Sequence, residues 1–137
     1  SAATLARTLA DGMALYDDRG FYKRAQIVPS NLALAGVARF GDLDRLTIFA
    51  DNLVPHVLRC EGVLVYADGL ARLIDEERPL RLGAQEREIR ACAVHACTQI
   101  AARLGISEPE LDHRLWTRGQ RREYKERPRH RCRCVYY

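Results

Sequence analysis

The chain has 137 residues, of which 47% are apolar, and its formal net charge is +4. This length suits one domain, residues 1–137, and the apolar fraction is sufficient for one compact core. No run of about 18 uncharged apolar residues occurs, and no export signal is recognisable at the start of the sequence. The five cysteines form an odd set without the framework of a secreted disulfide-rich domain. We therefore expect a cytoplasmic protein with reduced thiols and no membrane partner.

Apolar residues recur at helical spacing through most of the chain. The pattern predicts helices, in chain order, over residues 3–16, 21–36, 43–60, 67–77, 84–104 and 108–122. Pro29 is expected to kink or interrupt the second of these helices. Gly105 fits the end of the fifth, and Ser107 with Glu110 has the spacing of a capping box at the start of the sixth. After Pro128 the sequence alternates Arg and Cys, which favours an extended tail on an all-α fold.

Asp51 stands out inside the apolar run TIFADNLVPHVLR, which covers residues 47–59. Pro55 lies four positions later, and a proline inside a helix clashes with the carbonyl of the residue four before it. The predicted helix must therefore bend or break near Asp51. A carboxylate at such a break can cap the following half-helix, stabilise a cationic transition state or activate a water molecule. Periodicity alone leaves these three interpretations open.

Positive charge is concentrated late in the sequence, where residues 114–133 hold nine Lys or Arg and two Glu. This pattern fits a nucleic-acid interface, a clamp for a single phosphate or a solvated helix face. Asp112 lies one helical turn before Trp116, so the two share a face. A carboxylate beside an indole can accept the N–H groups of a guanine-like base while the indole stacks on its ring.

Several motifs that identify enzyme classes are absent, among them the P-loop, the dinucleotide-binding glycine pattern, G-x-S-x-G and H-E-x-x-H. Cys132 and Cys134 have one residue between them, which is too few for the usual zinc knuckle. We therefore expect neither a metal nor a cofactor. Glu88 and Arg90 are predicted to form a structural ion pair or clamp rather than to take part in catalysis.

Four segments, in this order and spacing, resemble the queuosine salvage family, the queuosine 5′-phosphate N-glycosylases/hydrolases. They are FYKRAQI at 21–27, LTIFADNLVPHVLR at 46–59, QEREIRAC at 85–92, and LDHRLW with HRCRCVYY between 111 and 137. The resemblance runs from about residue 20 to residue 137. It implies an all-helical fold similar to the DNA glycosylases and hydrolysis that frees queuine from queuosine 5′-phosphate. Members of the family are generally longer, so the chain resembles their C-terminal half and is expected to need an N-terminal part for a complete pocket.

The resemblance places the family's catalytic aspartate at Asp51, within the segment Phe49-Ala50-Asp51, and implies substrate binding by Phe49 and Ala50. It also implies recognition of the base by Asp112 and Trp116. Breaking an N-glycosidic bond builds positive charge on the ribose, so an ionised carboxylate in a water-poor pocket stabilises the transition state more than the ground state. A 7-deazapurine lacks the ring nitrogen whose protonation helps an ordinary purine to leave, which increases the demand on that carboxylate.

A 5′-phosphate remote from the reacting bond can position the sugar, and Lys23, Arg118, Arg131 and Arg133 are the candidates to bind it. The expected partner is this small-molecule nucleotide, with no stable nucleic-acid complex. The alternative from another class is a non-catalytic nucleic-acid-binding helical domain that acts through residues 114–137. A second enzymatic alternative is a DNA glycosylase, which is suggested only by the analogy between the expected fold and that of the DNA glycosylases.

Overall fold

The computed structural model describes all 137 residues and contains seven α-helices and one 3₁₀ turn. The helices are α1 (Ala2–Gly12), α2 (Lys23–Leu34), α3 (Val54–Cys60), α4 (Asp68–Asp75), α5 (Ala84–Leu104), α6 (Glu108–Gly119) and α7 (Arg122–Lys125). The 3₁₀ turn is Leu43–Arg45. Residues after α7 contain no helix, and an isolated bridge joins Leu80 to Cys132. The predictions of an all-α fold and an extended tail are confirmed.

The main core lies between α3, α5 and α6. Its nine buried members come from these helices, from the segment before α3 and from the turn before α2: Phe21, Ile48, Ala50, Val54, Leu58, Ala93, Cys97, Ala101 and Leu111. Helix α5 ends at Gly105, whose φ of 65° lies in the left-handed region where glycine carries no steric penalty. Helix α6 begins where the Ser107 side chain accepts the backbone N–H of Glu110. Both boundaries agree with the sequence prediction.

The prediction of a helix over residues 43–60 is wrong for residues before Val54, although the interruption expected near Asp51 is present. After the 3₁₀ turn, residues 46–53 are non-helical, and α3 begins only at Val54. Pro55 therefore lies in the first turn of a helix, where its missing N–H is not needed, rather than at a bend inside one. In α2, Pro29 is accommodated without interrupting the helix.

The segment 46–53 has no neighbouring strand, so side chains from three helices satisfy its backbone. The N–H groups of residues 47, 48 and 49 bind side-chain oxygens, and the carbonyl of residue 50 accepts from a guanidinium. The four bonds are Thr47 N–H to Gln26 Oε1 (2.9 Å), Ile48 N–H to Glu108 Oε2 (3.1 Å), Phe49 N–H to Asp112 Oδ1 (2.9 Å), and Arg90 Nε–H to Ala50 O (2.9 Å).

The basic stretch 114–133 spans α6, α7 and the tail, and five of its cations pair with carboxylates. The pairs are Arg114–Glu110, Arg118–Glu61, Arg121–Glu123, Arg122–Glu126 and Arg131–Glu77. Exposed pairs of this kind contribute little to stability, but they offset part of the local positive charge. Among all seven helices, none has both the length and the apolar composition that crossing a membrane requires.

Candidate active site

Asp51 lies directly before α3 and is buried, with 7% of its surface exposed. Its Oδ1 accepts the backbone N–H groups of Leu53 at 2.7 Å and Val54 at 3.2 Å. These are donors that the start of a helix leaves unpaired, so the interpretation of Asp51 as a cap is confirmed for Oδ1. Its other oxygen, Oδ2, takes no part in the cap.

Lys23 is the first residue of α2, and its Nζ lies 3.3 Å from Oδ2 of Asp51. The Lys23 side chain is 17% exposed and the Asp51 side chain 10%, so the ion pair is largely shielded from solvent. Tyr22, with a φ of 51°, takes the left-handed conformation that turns the chain into α2. The residue proposed from sequence as a phosphate ligand therefore contacts the candidate catalytic carboxylate directly.

Asp112 is the second buried carboxylate of the site, on α6, and is 6% exposed. Burial raises the pKa of Asp112 to about 6, the N–H of Phe49 opposes that rise, and the negative charge of Asp51 adds to it. The Lys23 ammonium has a smaller, lowering effect on the same pKa. Two carboxylates and one ammonium therefore form a single electrostatic cluster.

Trp116 borders two cavities of a size that holds small molecules. The smaller cavity, about 710 Å³, is lined by Asp51, Trp116 and the chain from α7 to residue 131. The larger, about 790 Å³, is lined by Phe49, Asp112, Trp116 and residues of α2. Trp116 is 47% exposed, which leaves its indole available for stacking. The structure thus places Asp51 in one and Phe49 and Asp112 in the other of two cavities that share Trp116.

Four basic residues line the smaller cavity: Lys125, Arg127, Arg129 and Arg131. Arg131 is already engaged, with Nη2 at 3.1 Å from a carboxylate oxygen of Glu77. Arg127 and Arg129 form no ion pair within the chain, so their guanidiniums are available to an anion in the cavity. Sequence reasoning did not name these two, because nothing in the Arg-rich tail distinguishes one arginine from the next.

Arg118 and Ala50 border neither cavity. Arg118 donates to Glu61 at 2.9 Å, and its guanidinium lies 5.8 Å from the ring centre of Tyr124. Ala50 packs its methyl group in the main core, and its carbonyl accepts the hydrogen bond from Arg90. The structure therefore places these two predicted binding residues in supporting positions.

Arg90 is a buried charge, and the prediction that it pairs with Glu88 is wrong. It is 1% exposed and pairs with Glu86, four residues earlier on α5, and with Asp18 in the loop before α2. The predicted partner Glu88 is exposed. The i, i+4 spacing of Glu86 and Arg90 was the available signal, whereas the contact with Asp18 crosses 72 residues and has no sequence signature.

His130 is a second buried polar residue that periodicity does not reveal. It is 1% exposed, and neither ring nitrogen has a hydrogen-bond partner. Burial lowers the pKa of His130 to about 4, and the nearby Asp51 charge opposes that change only in part. A neutral imidazole therefore lies close to the carboxylate site at physiological pH.

The fold and the site define a helical protein in which a shielded carboxylate–ammonium pair adjoins a cavity of small-molecule size beside an exposed indole. The chain belongs to the queuosine salvage protein family, whose model matches residues 1–137.

Relatives carry the name queuosine 5′-phosphate N-glycosylase/hydrolase. One from Mus musculus is 34% identical over 164 residues, which cover 100% of this chain and 48% of the relative. One from Sphaerobacter thermophilus is 36% identical over 127 residues, covering 85% of this chain and 39% of the relative. One from Dictyostelium discoideum is 34% identical over 127 residues, covering 85% and 40%. The chain therefore spans less than half the length of these relatives.

Proposed function

We propose that the chain carries the catalytic segment of a nucleosidase that hydrolyses the N-glycosidic bond of queuosine 5′-phosphate and releases queuine for salvage. The observation that supports this best is Asp51, which borders the smaller cavity while only one of its carboxylate oxygens is used in capping α3. The names of the relatives supply the substrate and the reaction class.

Asp51 is proposed to act through Oδ2 on the reacting sugar. Its negative charge stabilises the positive charge that develops on the ribose as the bond to the base breaks, and the same oxygen orients or deprotonates the attacking water. Because the Oδ1 bonds to Leu53 and Val54 fix the carboxylate plane, little reorganisation is needed when charge develops. Lys23 lies 3.3 Å from the same oxygen and itself borders neither cavity.

Asp112 and Trp116 are proposed to bind the base. One oxygen of Asp112 accepts from the Phe49 backbone, which leaves the second to accept an N–H of the base. With a pKa of about 6, Asp112 is mainly ionised at neutral pH and serves as an acceptor. Trp116 offers a stacking surface beside it in the larger cavity.

Arg127 and Arg129 are proposed to bind the 5′-phosphate, because they line the cavity of Asp51 and have no carboxylate partner. Two guanidiniums suffice for one phosphomonoester. The relatives extend beyond the part that matches this chain, and that additional part is proposed to complete the pocket. The reaction is proposed to be cytoplasmic, which suits a free nucleotide as substrate.

The test is release of free queuine from queuosine 5′-phosphate, followed by mass spectrometry. Asp51→Asn keeps a capping side chain but loses the charge, so we expect turnover to fall by at least roughly 100-fold with the helical signal unchanged. Asp11→Asn, an exposed substitution on α1, is the matched control and should retain wild-type turnover. Undiminished queuine release by Asp51→Asn would contradict a catalytic role for Asp51. If the folded wild-type chain releases no queuine, the chain is not active without the rest of the protein.

A further inference from the structure

Arg90 joins two backbone segments that are distant in sequence. Its Nε donates to the carbonyl of Ala50 at 2.9 Å, immediately before Asp51. Its Nη1 donates to Oδ1 of Asp18 at 3.1 Å, and its Nη2 donates to the other oxygen of the same carboxylate. Such a two-pronged bond fixes the guanidinium in plane as well as in position.

Asp18 in turn organises the approach to Lys23. The Asp18 carbonyl accepts the N–H of Phe21 at 3.0 Å and that of Tyr22 at 2.7 Å, and α2 begins with Lys23 one residue later. Arg90 therefore contacts both the turn that ends at Lys23 and the segment that carries Asp51. The 3.3 Å contact between Nζ of Lys23 and Oδ2 of Asp51 depends on how these two segments are held relative to each other.

Further contacts restrain Arg90 on every side. Phe21 and Tyr137 contribute aromatic rings whose centres lie 4.0 Å and 5.0 Å from the guanidinium carbon. Glu86 accepts from Nη1 at 3.2 Å, and the Tyr137 hydroxyl donates to the same Glu86 oxygen at 2.6 Å. A lysine cannot reproduce this arrangement, because an ammonium has neither the planar fork nor the stacking surface.

We infer that Arg90 is a positioning residue for the proposed hydrolysis, and that it sets the geometry of the Lys23–Asp51 pair by tying the Asp18 turn to the Ala50 carbonyl. This inference rests on the proposed function for its kinetic consequence. The structural consequence, which is the restraint of the segment that carries Asp51, is independent of the proposed function.

The kinetic test compares Arg90→Lys with Arg87→Lys. Arg87 is a matched control: it lies on the same helix, stacks on the same Phe21 ring at 5.3 Å and donates to the carbonyl of Arg19, yet none of these contacts touches segment 46–53. We expect Arg90→Lys to lower kcat by roughly tenfold or more with KM little changed, because displacement of the carboxylate penalises the transition state rather than substrate binding. Equal kinetics for the two variants would overturn the inference.

The structural test measures hydrogen exchange at the backbone amides of Leu53 and Val54, which bond to Oδ1 of Asp51. Arg90→Lys should accelerate exchange at these two amides more than at those within α1, whereas uniform acceleration would show a general structural role and overturn the inference. If the wild-type chain releases no queuine, the proposed function fails while this measurement still decides the role of Arg90.

Tyr137→Phe provides a second variant in case Arg90→Lys does not fold. It removes the hydroxyl bond to Glu86 but keeps the ring that stacks on Arg90. We expect faster exchange at Leu53 and Val54, by roughly threefold, with the amides of α1 unchanged. Unchanged exchange at both amides would contradict the restraint that Arg90 is inferred to provide.

Discussion

Asp51 uses its two carboxylate oxygens for different purposes. Oδ1 caps α3 through the N–H groups of Leu53 and Val54, and Oδ2 contacts Lys23 next to the cavity. A cap fixes a carboxylate more firmly than a solvated position would, so the structural role is compatible with the proposed chemical one. The capping interpretation and the two chemical interpretations that the sequence left open are thus compatible in one side chain.

The two roles of Asp51 can be separated by substitution. Asp51→Asn and Asp51→Ala both remove the charge and the ion pair with Lys23, but only alanine also removes the cap. We expect Asp51→Ala to be less stable than Asp51→Asn by about 1 kcal/mol, the usual contribution of a helix cap, with both variants inactive. Urea unfolding monitored by circular dichroism measures the difference, and equal stabilities would contradict a capping role.

Asp112 should make stability depend on pH. Its pKa is about 6 in the folded protein and 3.8 as the reference for the unfolded chain, so the folded state holds the proton more tightly. Stability from this group is therefore present at low pH and is lost as pH rises from about 4 to 6. Asp112→Asn removes the titration while keeping an acceptor for the Phe49 N–H.

The expected result is that stability of Asp112→Asn relative to wild type increases between pH 4 and 6, by at most about 3 kcal/mol since each pKa unit corresponds to about 1.4 kcal/mol. Denaturant unfolding at a series of pH values measures this difference. Taking variant minus wild type cancels other groups, including His130, whose lowered pKa acts in the opposite direction over a similar range. A constant difference across the range would refute the raised pKa of Asp112.

Helix α6 packs closely on α3 at Gly119. A Cβ added there would lie 2.9 Å from side-chain carbons of both Leu53 and Val57, closer than such atoms normally approach. Gly119→Ala should therefore destabilise the protein, although alanine is ordinarily the better helix former by about 1 kcal/mol. Gly69→Ala in α4, where nothing lies within 4 Å, is the matched control and should stabilise. A higher melting temperature for Gly119→Ala would contradict the close packing of α3 and α6.

Local sequence signals predicted helix boundaries well where residues close to the boundary determine it. The bounds of α5 follow from its periodicity and Gly105, and α6 begins at the Ser107 side-chain cap, because both devices act within a few residues. Segment 46–53 was predicted to be helical because its apolar spacing is helical. Its actual conformation depends on side chains of α2, α5 and α6, and no local pattern reports bonds over such separations.

The same contrast between local signals and long-range contacts explains which candidate site residues could be predicted from the sequence. Asp51, Asp112 and Trp116 were named as candidates from a proline offset, a helical spacing and a family resemblance, and the structure places them along two cavities that share Trp116. Arg127 and Arg129, which are proposed to bind the phosphate, were not named from the sequence because the arginines of the tail differ only in which of them have carboxylate partners. That is a property of the folded chain rather than of the sequence.

The whole molecule should bind long polyanions weakly despite its net charge of +4. Five cations of the basic stretch pair with carboxylates, and three of the remaining four, Lys125, Arg127 and Arg129, border the smaller cavity. We expect low affinity for a single-stranded RNA oligonucleotide and a shallow dependence on salt between about 50 and 200 mM. Tight binding that weakens steeply with salt would favour the nucleic-acid-binding alternative.

The way side chains hold segment 46–53 also bears on the order in which the molecule folds. The bonding partners of residues 47 to 50 lie 21, 60, 63 and 40 residues away along the chain. Contacts over such separations form only after large loops have closed, so α2, α5 and α6 must dock before this segment can hold one conformation. We therefore expect the Asp51 carboxylate to be among the last groups to become ordered, and a newly made chain to be helical before the candidate active site is formed.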